Sequence, residues 1–175
     1  TIDDAIAERT IALGCELFRG SEEDVLGRFI SALRLYPCDY LVRVCADSPF
    51  TDPLEIDRLI DTFVDCDCCL YGFNNRPQSN CDYADGFGAE IIDTRHLQLL
   101  DRLTLKDKSS AAREHVTSGV WSVLATRQIL PLSAPEGLSF PDLRFDVDTL
   151  ADFQKIDYLV NHGVSVTSSA NDIVA

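Results

Sequence analysis

Apolar positions at Ile2, Ile6, Ala7, Ile11 and Leu13 recur at helical spacing, and Gly14 follows as a stop, so the chain is expected to open with a helix and then a short strand over 15–18. Ser21 with Asp24 three places on forms a capping-box pattern, after which Val25, Leu26, Phe29, Ile30 and Leu33 mark an amphipathic helix ending near Tyr36 and Pro37. The nearly continuous apolar run 40–45 predicts a strand of the kind buried on both faces of a parallel sheet. Pro53 suits the first turn of the next helix, whose buried stripe is Ile56, Leu59, Ile60 and Phe63.

A strand is expected around 68–72. The segment 74–88, rich in Asn, Pro, Gly, Asp and Ser, then predicts a long loop, and loops of that length inside compact domains usually carry function. The pattern resumes as a strand at 89–92, a helix at 94–103, a helix at 110–124 containing Arg113, Glu114 and His115, and short strands at 129–132 and 143–147. Thr149 caps a last helix bearing Phe153, Ile156, Tyr158, Leu159 and Val160. Helices alternating with short apolar strands imply an α/β layered sheet, mostly parallel, with ligands at the carboxyl ends of its strands. The length, 175 residues, matches a single domain.

Charge narrows the partners. Fifteen Lys and Arg against 29 Asp and Glu give a net charge of −14, which disfavours nucleic acid and anionic membrane surfaces. No apolar run reaches the roughly 18 residues needed to cross a bilayer, and the first ten residues lack the basic and apolar halves of a signal peptide, so a cytoplasmic protein is expected. The chain contains no methionine and begins at Thr1, which leads us to expect a missing front end. Seven cysteines form an odd set, several of them inside apolar runs, and a disulfide scaffold is not expected. Cys66, Cys68 and Cys69 lack the second Cys pair or nearby His of a structural zinc site and read as strand-core thiols.

The candidate chemistry is carboxylate chemistry. Asp47 lies two residues beyond the strand 40–45, before a turn at Ser48 and Pro49, while Asp52 suits the cap of the helix opening at Pro53. Asp146 and Asp148 flank Val147 in an extended segment and so share a face; like charges so placed repel unless a cation or a solvated edge relieves them. If Asp47 converges with this pair, the three form an all-oxygen site suited to Mg2+ and substrate phosphates. Neither a P-loop nor a dinucleotide-binding glycine motif is present.

Five segments in order, FRGSEEDVLGR at 18–28, RVCADSPFTDP at 43–53, DGFGAE at 85–90, REHVT at 113–117 and FDVDTLAD at 145–152, resemble the cytidylyltransferases. The similarity is strongest to the branch of spore-coat polysaccharide biosynthesis proteins, related to the acylneuraminate enzymes, and runs from Asp3 to about His162. The resemblance implies a Rossmann-like three-layer α/β/α nucleotidyltransferase sheet that joins CTP to a sugar acid and releases pyrophosphate. It implies that Asp47 and Asp148 hold Mg2+ with Asp146 beside them, and that Asp85 and Glu90 lie on the sugar side. Arg113 and His115 are expected either to meet a carboxylate or phosphate or to hold their helix against the sheet edge. Arg19 is a candidate for the nucleotide side, although a turn with a cap at Ser21 suits it better. Some relatives dimerise, which makes a homodimer a possible partner state.

Two departures accompany the match. The family opens on a strand and a Gly, Arg and Lys loop that cradles the triphosphate, and this chain has no such loop; the expectation is therefore the last two-thirds of a domain missing its first strands. Thr149-Leu-Ala-Asp152 also replaces the more usual Thr-Pro-Glu-Asp. The alternatives are a degenerate member serving as a binding or assembly module, and a glycosyltransferase using a nucleotide sugar on the same fold.

Overall fold

The computed structural model describes residues 3–75, 81–105, 111–117 and 119–175, with the side chains of residues 112, 121 and 122 outside that description. In chain order the elements are α1 (Asp4–Ala12), α2 (Val25–Leu35), β1 (Tyr40–Arg43), α3 (Pro53–Val64), β2 (Tyr71–Phe73), β3 (Glu90–Asp93), α4 (Thr94–Thr104), α5 (Ala111–Glu114), α6 (Val120–Val123), β4 (Ile129–Pro131), α7 (Leu150–Asn161) and α8 (Ala170–Val174), with 3-10 turns at Thr126–Gln128 and Glu136–Leu138. They group into two compact units, one formed by Thr1–Cys38 with Leu97–Val123, the other by Asp39–His96 with Leu124–Ala175.

The second unit holds the sheet, in the order β1-β3-β2-β4. The expected α/β alternation is present, but β3 runs against both neighbours, so two of the three ladders are antiparallel and β2 with β4 is parallel. β3 is the next strand after β2 and pairs with it antiparallel, whereas a parallel return to a neighbouring strand needs a crossover connection; residues 76–80 of the expected loop 74–88 lie outside the described residues. Leu59, Phe63, Ala89, Ile91 and Leu132 form a core cluster, with Val42, Ile56, Ile60, Cys69 and Leu130 packed on it. The predicted stripe of α3 is therefore the stripe that meets the sheet. Gly72 permits the approach, since a Cβ there would stand 3.0 Å from the Phe63 ring and 3.1 Å from Ile91.

Helix ends follow the expected chemistry with one shift. The Asp52 side chain accepts from the Leu54 N–H at 2.9 Å and caps α3, with Pro53 in its first turn. The same carboxylate accepts from the Ala170 N–H at 2.8 Å, fastening the start of α8 to the start of α3. Thr149 and Asp152 form a reciprocal capping box on α7. At α2 the cap is Asp24, accepting from the Gly27 N–H at 2.9 Å, while the Ser21 hydroxyl accepts from the Asp24 N–H at 3.0 Å. The Ser and Asp pair thus starts the helix one turn later than a cap at Ser21 would.

Four sequence expectations are corrected. Residues 15–18 form no strand. The expected helix 110–124 is two single turns, α5 and α6, broken at Val116, whose φ of 45° is left-handed and rare for a β-branched residue. Residues 143–147 contribute one isolated bridge, Arg144 with Asp85, in place of a strand. Finally, β2 begins at Tyr71, because a turn closed by the Cys69 N–H on the Cys66 carbonyl at 3.1 Å separates it from α3, and Cys66 and Cys69 form a disulfide there. Those cysteines are turn residues, not strand-core thiols.

Candidate active site

Three phenylalanines assemble the site from segments far apart in sequence. Phe145 stacks at a tilt on Phe87 with ring centroids 4.8 Å apart and meets Phe50 edge-on at 6.4 Å, and all three are buried. Each lies within three residues of a carboxylate: Asp47 precedes Phe50, Asp85 precedes Phe87, and Asp146 follows Phe145. Burying the rings as one cluster delivers the acids to one rim. Backbone bonds fix the register. The extended segment takes a bond at every second residue: Leu143 accepts from the Asp85 N–H at 2.9 Å, the Phe145 N–H donates to the Asp85 carbonyl at 2.9 Å, and the Val147 N–H donates to the Asp47 carbonyl at 2.8 Å.

The alternate residues, Arg144, Asp146 and Asp148, share the other face. Together with Cys45, Asp47, Ser48, Asn75 and Asp85 they line a cleft of about 390 Å³. The relief that two like charges on one face require comes from within. Arg144 Nε donates to Asp146 Oδ1 at 3.0 Å, its Nη2 donates to Asp146 Oδ2, and the same Nη2 reaches Asp148 Oδ2 at 3.1 Å. These contacts raise the pKa of Arg144 further above its ordinary value, the hydrogen bond to Asp146 contributing most. Asp146 is mostly covered, at 12% side-chain exposure, while Asp148 stands open at 59%. The Ser48 hydroxyl donates to Asp47 Oδ1 at 3.1 Å.

Asp85 is half-buried, and its pKa is pushed up to about 6, first by desolvation and then by the charge of Asp146. Gly86 makes this crowding possible. Its φ is +104°, and a Cβ there would lie 2.8 Å from the Phe145 carbonyl carbon and 3.0 Å from the Asp146 nitrogen. Gly88 has an equivalent role against Asn74, whose buried amide bridges the Glu55 carbonyl at 3.0 Å and the Ala89 N–H at 2.8 Å. The glycines of the DGFG segment are thus required by close approach of backbone.

The cleft gathers Asp47, Asp85, Asp146 and Asp148, and the other named candidates lie elsewhere. Glu90 is 1% exposed in the sheet, where Arg43, its cross-strand partner, donates to Oε2 at 2.6 Å and Tyr71 donates to Oε1 at 2.6 Å. It holds strands together and does not line the cleft, which corrects its expected place on the sugar side. Arg113, in the first unit, is 2% exposed, with Nε and Nη2 on the Asp24 carboxylate and Nη2 on Asp101 Oδ1 at 3.0 Å. Its fork is closed on acids of α2 and α4, in line with a holding role and against a substrate contact. His115 is exposed beside it in sequence, and Arg19 Nη1 donates to Asp4 Oδ1 at 2.8 Å.

Four cleft-lining residues, Cys45, Ser48, Asn75 and Arg144, were not among the sequence candidates. Arg144 had a readable signal, since a residue two before Asp146 in an extended segment shares its face. Asn75 had none beyond its place in the polar loop; its Oδ1 is buried without a hydrogen-bond partner among the described residues. The donor set, carboxylates with an amide oxygen left unsatisfied, fits a hard cation such as Mg2+. Among the described residues, however, the group whose ligand atoms already stand within 4.8 Å of one another is Cys66, Cys68 and Cys69, so the carboxylates line the cleft without being drawn together. No helix of the described residues is long and apolar enough to cross a membrane.

No family model matches the chain. It is 30% identical over 166 residues, 91% of its length, to an uncharacterized protein of Methanocaldococcus jannaschii, and 30% identical over 158 residues, 90% of its length, to the spore coat polysaccharide biosynthesis protein SpsF of Bacillus subtilis. It spans 62% of the length of each of these relatives. A solved cytidylyltransferase from Leptospira borgpetersenii shares its fold with a TM-score of 0.83, at 24% identity, covering 99% of this chain and 70% of that one. The chain thus shares the fold of that cytidylyltransferase and is related in sequence to SpsF along nine-tenths of its own length.

Proposed function

We propose that the chain provides the metal and sugar side of a Mg2+-dependent cytidylyltransferase, which transfers CMP from CTP to a sugar acid and releases pyrophosphate, for cell-surface polysaccharide or glycan synthesis. The observation that carries this reading is the single cleft lined by Asp47, Asp85, Asp146 and Asp148 with Arg144 among them. Asp47 and Asp148 would hold Mg2+, with Asp146 beside them. When bound there, the ion supplies charge neutralisation on phosphate oxygens and lowers their repulsion. Arg144 covers the carboxylates in the absence of that charge, and its guanidinium is free to turn toward a phosphate or sugar carboxylate, to which it presents a bidentate fork. Asp85 accepts a sugar hydroxyl, and the Asn75 amide oxygen accepts a second one. The anomeric hydroxyl then attacks the α-phosphate in line, with the protein acting chiefly by position and electrostatics.

The test is product analysis, on the chain joined to the family's triphosphate-cradling loop, with CTP and a panel of sugar acids in the presence of Mg2+. Pyrophosphate and a CMP-sugar support the reading. Release of a nucleoside diphosphate from a nucleotide sugar would assign glycosyl transfer to the same cleft, and neither product would leave a binding module.

A further inference from the structure

The turn between α3 and β2 carries a second cluster of ligands, unrelated to the acidic cleft. Cys66, Cys68 and Cys69 bring their sulfur atoms within 4.8 Å of one another. The backbone builds this. The Cys66 N–H donates to the Phe63 carbonyl and the Cys69 N–H to the Cys66 carbonyl, each at 3.1 Å, so the last turn of α3 continues into a tight turn that sets three side chains together. Cys69 packs against the sheet core, Cys68 is exposed with its thiol directed at the Arg127 carbonyl at 3.3 Å, and the Cys66 and Cys68 sulfurs are 3.9 Å apart. Cys66 and Cys69 are joined as a disulfide, with Cα atoms 5.4 Å apart.

We infer that this turn is a redox-gated site for a thiophilic d10 cation of the Cu(I) class, open when the Cys66–Cys69 bond is reduced and closed when it is formed. Three ligands at metal–sulfur distances of about 2.3 Å stand roughly 4 Å apart in a trigonal plane; the Cys66 and Cys68 sulfurs already stand at 3.9 Å, and reduction of the Cys66–Cys69 bond lets that pair open to a similar separation. Soft thiolates select soft cations. Zn2+ asks for a fourth, tetrahedral ligand in a structural site, and the group contains three. The steps balance without a further reactant beyond a dithiol. One thiolate of the reductant attacks a sulfur of the Cys66–Cys69 bond, the second resolves the mixed disulfide, and the reductant leaves as its own disulfide while Cys66 and Cys69 become thiols. Cation binding then displaces three protons from Cys66, Cys68 and Cys69 to solvent.

The experiment is an anaerobic titration of the chain with Cu(I) held by a colorimetric chelator, comparing dithiol-reduced and oxidised protein, with alkylation mapping of the cysteines. The reduced chain is expected to withdraw one equivalent and to protect Cys66, Cys68 and Cys69 from alkylation, while the oxidised chain leaves them unoccupied. Cys68→Ser, a change at an exposed side chain, is expected to weaken binding by more than about tenfold, since loss of even an outer partner of a metal ligand costs that much. Cys15→Ser is expected to change nothing. Equal uptake by oxidised protein, unaltered affinity in Cys68→Ser, or protection confined to other cysteines would overturn the site.

Discussion

The Val147 N–H donates to the Asp47 carbonyl at 2.8 Å, joining two segments a hundred residues apart along the rim of the cleft that their carboxylates line. The bond puts Asp146 and Asp148, the neighbours of Val147 on either side, beside the Asp47 turn.

In a chain joined to the family's triphosphate-cradling loop, Asp47→Asn or Asp148→Asn is expected to reduce Mg2+-dependent pyrophosphate release by at least about a hundredfold, since the ion contributes several kcal/mol at the transition state. The melting temperature should barely move, because neither carboxylate is buried in the core. Wild-type turnover in either variant would remove the metal role.

Asp85 predicts a pH signature. Its folded pKa of about 6 lies above the ordinary 3.8, so between about pH 4 and 6 the native state keeps a proton that the unfolded chain has lost. Stability is therefore lost as pH rises through that window, and the loss persists above it. Asp85→Asn should gain stability relative to the parent chain from pH 4 to 7, by on the order of 1 kcal/mol, a figure reduced for the solvent screening of a half-exposed group. Denaturant midpoints of both proteins across the range would read it, and a constant offset would contradict it.

Gly86→Ala should cost about 2–4 kcal/mol, combining a left-handed backbone with a Cβ pressed on the Phe145 carbonyl carbon. A loss below about 1 kcal/mol in urea melts would show that the DGFG turn has room to relax.

Glu90→Gln leaves Arg43 facing a neutral partner in the sheet and should destabilise by about 2–3 kcal/mol. Replacing both residues with apolar ones of similar volume should cost less than the single change, because no charge is then left unpaired. Thermal unfolding of the single and double variants separates a structural pair from a substrate contact.

Much of this was legible in residue order. The stripe of α3, the Asp52 and Thr149 caps, and the placing of Asp146 with Asp148 follow from local periodicity and cap chemistry, which need no tertiary information. Glu90 was misplaced because a charge after a glycine-rich loop resembles a ligand contact until its cross-strand partner, Arg43, is known. The break at Val116 and the turn at Cys66 arise from backbone geometry that residue type does not announce. Arg144 was legible in principle, since the alternation that pairs Asp146 with Asp148 also includes it.

Asp52 ties the two ends of the sheet-bearing unit through one carboxylate, with Leu54 on one oxygen and Ala170 on the other. Clipping or masking the final helix would strip one donor from a covered anion five residues past Asp47. Although α8 does not line the cleft, its first N–H thus helps fix the start of the helix that follows the Asp47 turn.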